Sequence, residues 1–407
     1  MIKFLEQHER PRMTVVECLL QGEFPVEALP YILKDTQEHP EHWGHWNNLG
    51  ICYKYLGNYN DAVESFKRSL EANPAALQAH HNLAMAYEEL GRFQDALRHY
   101  VVSTSNSTNE NAQYGFAGCA LREKKYDVAA PIWEAARFAK RSAYVLPNVP
   151  IWRGQDLAGQ KLLVTREGGY GDIFWMLRYL EPLKAMGAHI TFHLFTALAP
   201  LLRGHEWIDR ILVSEDALNA QEFDYQVPLW SIMWELRKLG LQDIPMPMRA
   251  PYIKVDRPAR FDAPTVGICW KAGEILASHR KLRSIQDEYL DAFADVPVRW
   301  ISMVPGEQPS WCLGAVDKDW TRTAQTLAGL DLVVAADSSV FHLAGAMGRP
   351  TIVFTPLGSD WKFFHSDHCE WYPTVKVIRN SSPTSFKPVV DQLVQEVTAW
   401  AEQGVAS

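Results

Sequence analysis

Small and apolar residues recur along the first third of the chain with a period of 34 positions. Alanine occupies positions 28, 62, 96 and 130. Around these alanines, small residues alternate with aromatic ones at helical spacing, as Gly50 and Phe66 do around Ala62. Small side chains let two helices approach closely, and aromatic rings fill the space beside them. The pattern predicts helix pairs, each of which buries its apolar face against the next pair.

The repeating pattern resembles the tetratricopeptide repeat, with two full copies, a degenerate copy and a half copy at 12–40. The resemblance implies an α-solenoid whose concave surface takes a peptide or protein partner. So short an array also fits a second interpretation, a helical support for the domain that follows. Asn48, Asn82 and Lys54 either hold a peptide backbone on the inner helices or belong to a solvated face.

Beyond a proline-marked joint at 145–150, short β-rich runs alternate with helical stretches, which predicts parallel sheets with crossover helices. A proline-rich segment at 244–258 separates two sets of runs and predicts a hinge. The predicted strands are 161–165, 189–195, 210–213 and 223–229 in the first set, and 265–270, 298–303, 330–336, 351–355 and 374–378 in the second.

Two nucleotide-binding-like α/β halves that face a cleft form the GT-B arrangement, in which ligands lie at the carboxyl ends of the strands. Several segments, in order, resemble the heptosyltransferase family (glycosyltransferase family 9) and bacterial proteins that join tetratricopeptide repeats to such a domain. They are REGGYGDIFWMLRYLEPL, FDYQVPLWSI, IPMPMRAPYIKV, DSSVFHLAGAMGRPTIVFTPLGSDWKFF and EWYPTVKVIR.

The expected fold class is therefore α plus α/β, a tetratricopeptide α-solenoid followed by a GT-B fold of two Rossmann-like domains. The solenoid is expected over residues 1–145. The N-terminal Rossmann-like half, on the acceptor side, is expected over 146–250. The C-terminal half, on the nucleotide-sugar side, is expected over 251–407.

A glycine-rich turn that ends in Asp172 follows the first predicted strand. Glycines there permit a tight turn and a close approach of the backbone to a ligand. Asp172 has two interpretations, a helix cap and a catalytic base. The resemblance implies the second, in which Asp172 takes a proton from the acceptor hydroxyl. Gly171, which precedes it, is expected to help bind the donor.

A second turn, at Asp337-Ser338-Ser339, ends the apolar run at 330–336 and begins a helix. The free N–H groups and positive dipole end of a helix start suit a diphosphate. The resemblance implies donor binding by Asp337, Ser338, Ser339 and His342. A plain cap at Asp337 and a hydrogen-bonded histidine within the helix are the alternatives.

Positive charge for a leaving diphosphate is supplied by Lys271, Arg280, Lys281 and Arg283, since arginine binds phosphate bidentately and lysine as a point charge. Family members usually have an Asn-Asp pair shortly before the arginine, and this chain lacks it. A solvated charged face is the other interpretation of this run. Asp360 is a further expected neighbour of the nucleotide.

The composition of the chain limits the partners, the cysteine chemistry and the location that we expect. The formal net charge of −8 argues against nucleic acid as the main partner. The six cysteines contain no Cys-x-x-Cys pair, which favours buried thiols over disulfides or zinc. No apolar run is long enough to span a membrane, and the N-terminus has no apolar signal region. We therefore expect a cytoplasmic location.

These features predict a glycosyltransferase that moves a sugar from a nucleotide diphosphate sugar to an acceptor hydroxyl, on a protein or a glycan. By family resemblance it inverts the anomeric centre and needs no metal or other cofactor. A protein or peptide would bind through the repeats. The altered segment at 271–284 favours the alternative, an inactive transferase-like scaffold that binds a protein partner.

Overall fold

The computed structural model describes residue 20, the ranges 24–105, 110–139, 144–214, 218–246, 251–256, 263–273 and 283–403, and the single residues 216 and 261. Lys281, one of the expected donor-binding residues, lies outside them. The chain divides into two compact units. Unit 1 comprises Met1–Ala136, Pro356–Phe364 and Ser381–Ser385, and unit 2 comprises Arg137–Thr355, His365–Asn380 and Phe386–Ser407.

The described part of unit 1 consists mainly of helices in succession, of which α1 to α5 each pack against the next. They are α1 Pro25–Glu38, α2 Trp43–Tyr55, α3 Tyr59–Ala72, α4 Leu77–Glu89, α5 Phe93–Thr104, α6 Glu110–Arg122 and α7 Tyr126–Ala139. The last of these crosses the boundary between the units, which lies after Ala136.

Glycine–aromatic contacts explain the small-and-large pattern of the repeats. A Cβ atom at Gly50 would lie 2.4 Å from the Phe66 ring, and one at Gly115 would lie 2.4 Å from the Tyr100 ring. Any larger side chain would therefore push the two helices apart. The predicted helix pairs are confirmed. In the third copy the closely packed glycine is Gly115, whereas a Cβ at Gly118 would have no neighbour within 4 Å.

Unit 2 contains two sheets in which every described strand pair is parallel. The first has the order β3-β2-β1-β4 and the second the order β10-β9-β8-β5-β6-β7. The strands are β1 Lys161–Thr165, β2 His189–Leu194, β3 Arg210–Val213, β4 Tyr225–Pro228, β5 Thr265–Cys269, β6 Arg299–Ser302, β7 Cys312–Ala315, β8 Leu332–Ala336, β9 Thr351–Thr355 and β10 Val375–Arg379.

Helices connect these strands and cover the sheets. They are α8 Tyr170–Met176, α9 Leu180–Ala185, α10 Ala199–Leu202, α11 Ser231–Lys238, α12 Trp320–Gly329, α13 Ser339–Ala346 and α14 Lys387–Glu402. Short 3₁₀ helices are Leu177–Tyr179, Thr196–Leu198, Ala220–Glu222, Asp287–Phe293 and Trp361–Phe363.

The sheets confirm the predicted fold class, helical repeats followed by two parallel α/β halves. All nine predicted strands are present, with differences of one or two residues at their ends. Strand β7 was not predicted, because it lies at a sheet edge and its exposed Leu313 and half-buried Gly314 give no buried apolar run. The central strands β1, β8 and β9 are almost entirely buried, which fits a parallel sheet covered on both faces.

Candidate active site

The turn after β1 holds Asp172 through its own backbone. The Gly169 N–H donates to Asp172 Oδ2 over 2.7 Å. Gly168 has φ +69°, and a Cβ there would lie 2.2 Å from the same oxygen. Glycine is thus required at 168 both for its conformation and for the room that the carboxylate needs. Asp172 is half-buried, so the carboxylate caps the turn and still reaches the surface.

A buried ion pair that the sequence did not indicate supports this turn. Glu167 is 4% exposed, and its two carboxylate oxygens lie 2.6 and 2.5 Å from Nη2 of Arg137. Glu167 Oε2 also accepts the Trp230 backbone N–H over 3.0 Å. The ion pair fixes the residue directly before Gly168. Its signal in the sequence was weak, since Arg137 and Glu167 stand 30 positions apart.

In the turn after β8 the candidate site residue, Asp337, is itself the carboxylate that forms the ion pair. Asp337 is 5% exposed, and Arg283 Nη2 donates to its Oδ2 over 3.0 Å and to its backbone oxygen over 2.6 Å. Ser338 is the N-cap residue of α13. Its Oγ lies 3.7 Å from Sγ of Cys269, a thiol whose pKa burial raises to about 11.

His342 lies on α13 and is 4% exposed. Its Nδ1 shares a hydrogen bond of 3.1 Å with the Tyr372 hydroxyl, and burial raises the pKa of that hydroxyl, so it keeps its proton. His342 Nε2 lies 4.0 Å from Asp337 Oδ1. The ring stacks on Trp175, with centroids 5.8 Å apart and planes at 18°. The Tyr372 hydroxyl therefore fixes Nδ1 of His342, and Nε2 faces the Asp337 carboxylate.

The two turns come together within unit 2. Helix α8, which begins at the first turn, packs against α13, which begins at the second. A Cβ at Gly171 would lie 2.9 Å from His342 Cδ2 and 3.4 Å from the Ser339 Cα. Gly171 therefore permits a backbone contact between the halves, right beside Asp172. The structure brings together five predicted site residues in this way: Asp172, Gly171, Asp337, Ser339 and His342.

Lys271, at the end of β5, has carboxylate neighbours. Its Nζ pairs with Glu307 and lies 3.9 Å from Asp287 Oδ1. An anion at this position would meet an ammonium group that already has a partner. A phosphate would therefore have to displace Glu307 or share the lysine with it.

Asp360 belongs to unit 1 and not to unit 2. Its Oδ1 accepts the Lys362 backbone N–H over 3.1 Å and caps the 3₁₀ helix Trp361–Phe363. The sequence placed Asp360 with the donor-binding residues, and the structure groups it with the repeats. Packing of the segment Pro356–Phe364 on the repeat helices causes this grouping.

Arg178 is a further residue that the sequence did not single out. It is 1% exposed. Its guanidinium donates to the backbone oxygens of Trp371 over 2.6 Å and of Met246 over 3.1 Å, and to the Tyr252 hydroxyl over 3.0 Å. Backbone and hydroxyl oxygens thus solvate a buried positive charge. The partners come from the proline-rich hinge and the C-terminal half, so Arg178 ties these parts of unit 2 to α8 and the residues that follow it.

Two further observations concern membranes and metals. None of the helices in the described ranges is long and apolar enough to cross a bilayer. The same ranges contain no group of three or more His, Cys, Asp or Glu side chains arranged to hold a metal ion.

Comparisons with known proteins identify the repeats. Residues 45–75 and 79–111 match tetratricopeptide-repeat models. The chain is 24% identical over 423 residues to Protein FlbA of Caulobacter vibrioides, in an alignment that covers 92% of this chain and 70% of FlbA.

Several solved structures are similar to parts of the chain. A family 9 glycosyl transferase from Veillonella parvula is 12% identical, with a TM-score of 0.43, over 60% of this chain and 100% of its own. The ADP-heptose LPS heptosyltransferase II of E. coli is 12% identical, with a TM-score of 0.45 and the same coverage. A mutant O-GlcNAc transferase from Thermobaculum terrenum is 13% identical, with a TM-score of 0.34, over 98% of this chain and 95% of its own. The repeat models and the two parallel sheets described above together give tetratricopeptide repeats followed by two α/β halves.

Proposed function

We propose that the protein is a glycosyltransferase that moves a sugar from a nucleotide diphosphate sugar to an acceptor hydroxyl. The observation that carries the proposal is the meeting of two strand-to-helix turns, one with Asp172 and one with Asp337 and His342, at Gly171. A pure scaffold has no physical need for a half-buried carboxylate beside a buried carboxylate and histidine. Burying such groups costs free energy that apolar side chains would not.

In the proposed reaction Asp172 accepts the proton of the acceptor hydroxyl as its oxygen attacks the anomeric carbon. The new C–O bond forms while the bond from the anomeric carbon to the diphosphate oxygen breaks. The bonding electron pair leaves with the diphosphate. Attack from the face opposite the leaving group inverts the anomeric centre.

The start of α13 would hold the diphosphate. Helix α13 is eight residues long, and the N–H groups and positive dipole end of its first turn, which begins at Ser339, suit an anion. Arg283 adds positive charge at the same turn through its contact with Asp337. Asp337 would accept hydrogen bonds from sugar hydroxyls. Residues 271–283 supply the remaining cations, Lys271 and Lys281.

A donor screen tests the proposal. The full chain is incubated with UDP-, GDP-, ADP- and dTDP-linked sugars, with and without host lysate, and release of the nucleoside diphosphate is measured. Release from one donor that rises with lysate and is lost in Asp172→Ala supports the proposal. Release that persists in Asp172→Ala would show that Asp172 is not the base, while the protein would remain a glycosyltransferase. No release from any donor, together with no thermal stabilisation by nucleotides, would leave the scaffold as the better description.

A further inference from the structure

The two ring nitrogens of His342 face different partners. Nδ1 lies 3.1 Å from the Tyr372 hydroxyl, and Nε2 lies 4.0 Å from Asp337 Oδ1. In a neutral imidazole one nitrogen carries a proton and the other accepts, and the hydrogen bond at one nitrogen determines which form is present. The direction of the hydrogen bond between Tyr372 and His342 therefore decides whether Nε2 presents an N–H group or a lone pair beside Asp337.

Tyr372 is held in place by Arg178 and by α13. The Arg178 guanidinium lies over the Tyr372 ring, 4.6 Å from its centroid, and donates over 2.6 Å to the backbone oxygen of Trp371, the preceding residue. The ring also packs on α13, where a Cβ at Gly345 would lie 2.6 Å from Tyr372 Cγ. The Tyr372 oxygen thus has a fixed position, and what can change is the direction in which its proton points.

Tyr252 is the second group toward which that proton can point. Its hydroxyl lies within hydrogen-bonding reach of the Tyr372 hydroxyl. Tyr252 donates its own proton to the backbone oxygen of Phe174 over 2.9 Å, so its oxygen can only accept from Tyr372. Arg178 Nη2 donates to the same oxygen over 3.0 Å. The positive charge at this oxygen makes it a poorer partner for another O–H donor.

The contacts of Arg178 therefore direct the Tyr372 proton to His342. Burial raises the pKa of the Tyr372 hydroxyl, so it keeps its proton and can donate to Nδ1. The proton of the neutral ring is then on Nε2, beside the Asp337 carboxylate, which only accepts hydrogen bonds when it is ionised. Tyr372 and Asp337 thus favour the same tautomer of His342. All residues of this network belong to unit 2.

We infer that Arg178 is a positioning residue that selects the Nε2–H tautomer of His342 through Tyr252 and Tyr372. An N–H group at Nε2 donates to the oxygen atoms of a diphosphate or a sugar, whereas a lone pair there repels them. The consequence for donor binding rests on the proposed function, while the tautomer itself does not. The inference gives a buried guanidinium, which is costly to desolvate, a role in the chemistry of the site.

The test compares the full-length wild type with Arg178→Met and with the double variant Arg178→Met/Tyr252→Phe. Tyr179→Phe is the control, because it removes a buried hydroxyl next to Arg178 that accepts the Met246 backbone N–H and lies outside the network. The chain carries isotope-labelled histidine, and long-range proton–nitrogen NMR shows which ring nitrogen is protonated. Signals of His342 are identified by their loss in His342→Gln. Calorimetry gives the dissociation constants for UDP, GDP, ADP and dTDP.

The wild type and Tyr179→Phe should hold His342 as the Nε2–H tautomer. Arg178→Met should move the proton to Nδ1, because the Tyr252 oxygen then takes the Tyr372 proton and His342 donates to Tyr372 instead. It should also weaken binding of the preferred nucleotide by about tenfold, as expected for the loss of one hydrogen bond to a charged group.

The double variant separates this role from a structural one. It lacks the Tyr252 hydroxyl as well, so the Tyr372 proton should return to His342 and both the Nε2–H tautomer and the nucleotide affinity should recover. A residue that only supports the fold predicts the opposite, since a second substitution in the same buried region adds to the damage.

Tyr372→Phe tests the same path with Arg178 intact, and it keeps the test decisive if Arg178→Met does not fold. The variant retains the ring and removes the hydroxyl that donates to Nδ1. Both tautomers of His342 should then be present, since Nε2 lies 4.0 Å from Asp337, too far for a direct hydrogen bond.

Several results overturn the inference. They are a wild type with the proton on Nδ1 of His342, an unchanged Nε2–H tautomer in Arg178→Met or in Tyr372→Phe, and a double variant in which neither the tautomer nor the affinity recovers. A recovered tautomer with nucleotide affinity still weakened would separate His342 from donor binding. A wild type that binds none of the four nucleotides removes the proposed function, while the NMR result still decides whether Arg178 selects the tautomer.

Discussion

The turns after β1 and after β8 each place a carboxylate beside the start of a helix, but the charged partners are arranged differently in the two turns. After β1 the supporting carboxylate and the exposed one are separate residues, since Glu167 forms the buried ion pair and Asp172 is held by a backbone N–H. After β8 a single residue, Asp337, is both buried and ion-paired. The half-buried Asp172 carboxylate lies partly at the surface, where an acceptor can reach it, whereas the buried Asp337 carboxylate is held by Arg283. The difference supports Asp172 as the base and Asp337 as a ligand-binding group.

Replacing Asp172 should have the largest effect. Asp172→Asn keeps an oxygen that can accept the Gly169 N–H but removes the base, so transfer should fall by about 10²- to 10⁴-fold. Nucleotide release at saturating donor and acceptor checks this. Glu181→Gln, at an exposed acid of α9, is the control. If Asp337→Asn lowers turnover as much while Asp172→Asn does not, the two roles are reversed.

Breaking the buried pair should cost about 3–5 kcal/mol of unfolding free energy in Arg137→Ala, because Glu167 remains buried without its partner. Urea unfolding of the full chain measures this. The control is Arg210→Ala. Its pair with Glu222 has the same short distance, 2.6 Å, but both side chains are exposed, at 53% and 43%, so a loss below about 1 kcal/mol is expected. Equal losses of unfolding free energy in Arg137→Ala and Arg210→Ala would show that the ion pair of Arg137 and Glu167 gives the turn no special support.

At the second turn, Arg283→Ala should lower the unfolding free energy by about 1.5–3 kcal/mol, since Asp337 loses a charged hydrogen-bond partner. It should also weaken nucleotide binding. Arg283→Lys should recover part of both losses, because lysine keeps the charge but cannot contact the carboxylate and the backbone oxygen with the same geometry. Full recovery by lysine would mean that only charge matters at this turn.

The contact between the turns can be altered without touching either carboxylate. Gly171→Ala places a methyl group against His342 and Ser339, and should cost about 1–3 kcal/mol through overpacking. Turnover should fall too, since α8 carries Asp172. Gly314→Ala, where a Cβ meets nothing within 4 Å, is the control. Normal turnover in Gly171→Ala would indicate that the two turns need not touch for the reaction.

The positions of Asp172 and Asp337 could be predicted because each lies beyond the carboxyl end of a predicted strand in its own parallel sheet. Asp337 follows its strand directly, Asp172 ends the glycine-rich turn after its strand, and the sequence around each indicates a turn and a helix start. The turn and the helix start depend on local chain properties that a sequence displays. The expectation that His342 binds the donor comes from the family resemblance and not from its spacing along the helix.

Three features could not be predicted in the same way. They are the ion pair of Arg137 and Glu167, the buried hydrogen bonds of Arg178, and the location of Asp360. Each depends on which distant segment supplies a partner, and a charged residue in the sequence does not indicate whether its partner is water or a buried group. Arg178 is the clearest case, because its partners are backbone oxygens, which any sequence supplies.

The segment Pro356–Phe364 has a consequence for how this protein was inherited. Its side chains Trp361, Phe363 and Phe364 are 5%, 1% and 2% exposed, and they lie in the unit formed by the repeats. A gene fusion that exchanged the repeats for another array would leave these rings without a matching surface. Exposed aromatic side chains in a contiguous group favour aggregation. The repeats and the segment are therefore expected to have descended together. Compensating changes are expected where Arg122 donates to the backbone oxygens of Ser359 and Phe364, and where a Cβ at Gly358 would meet the Glu88 backbone.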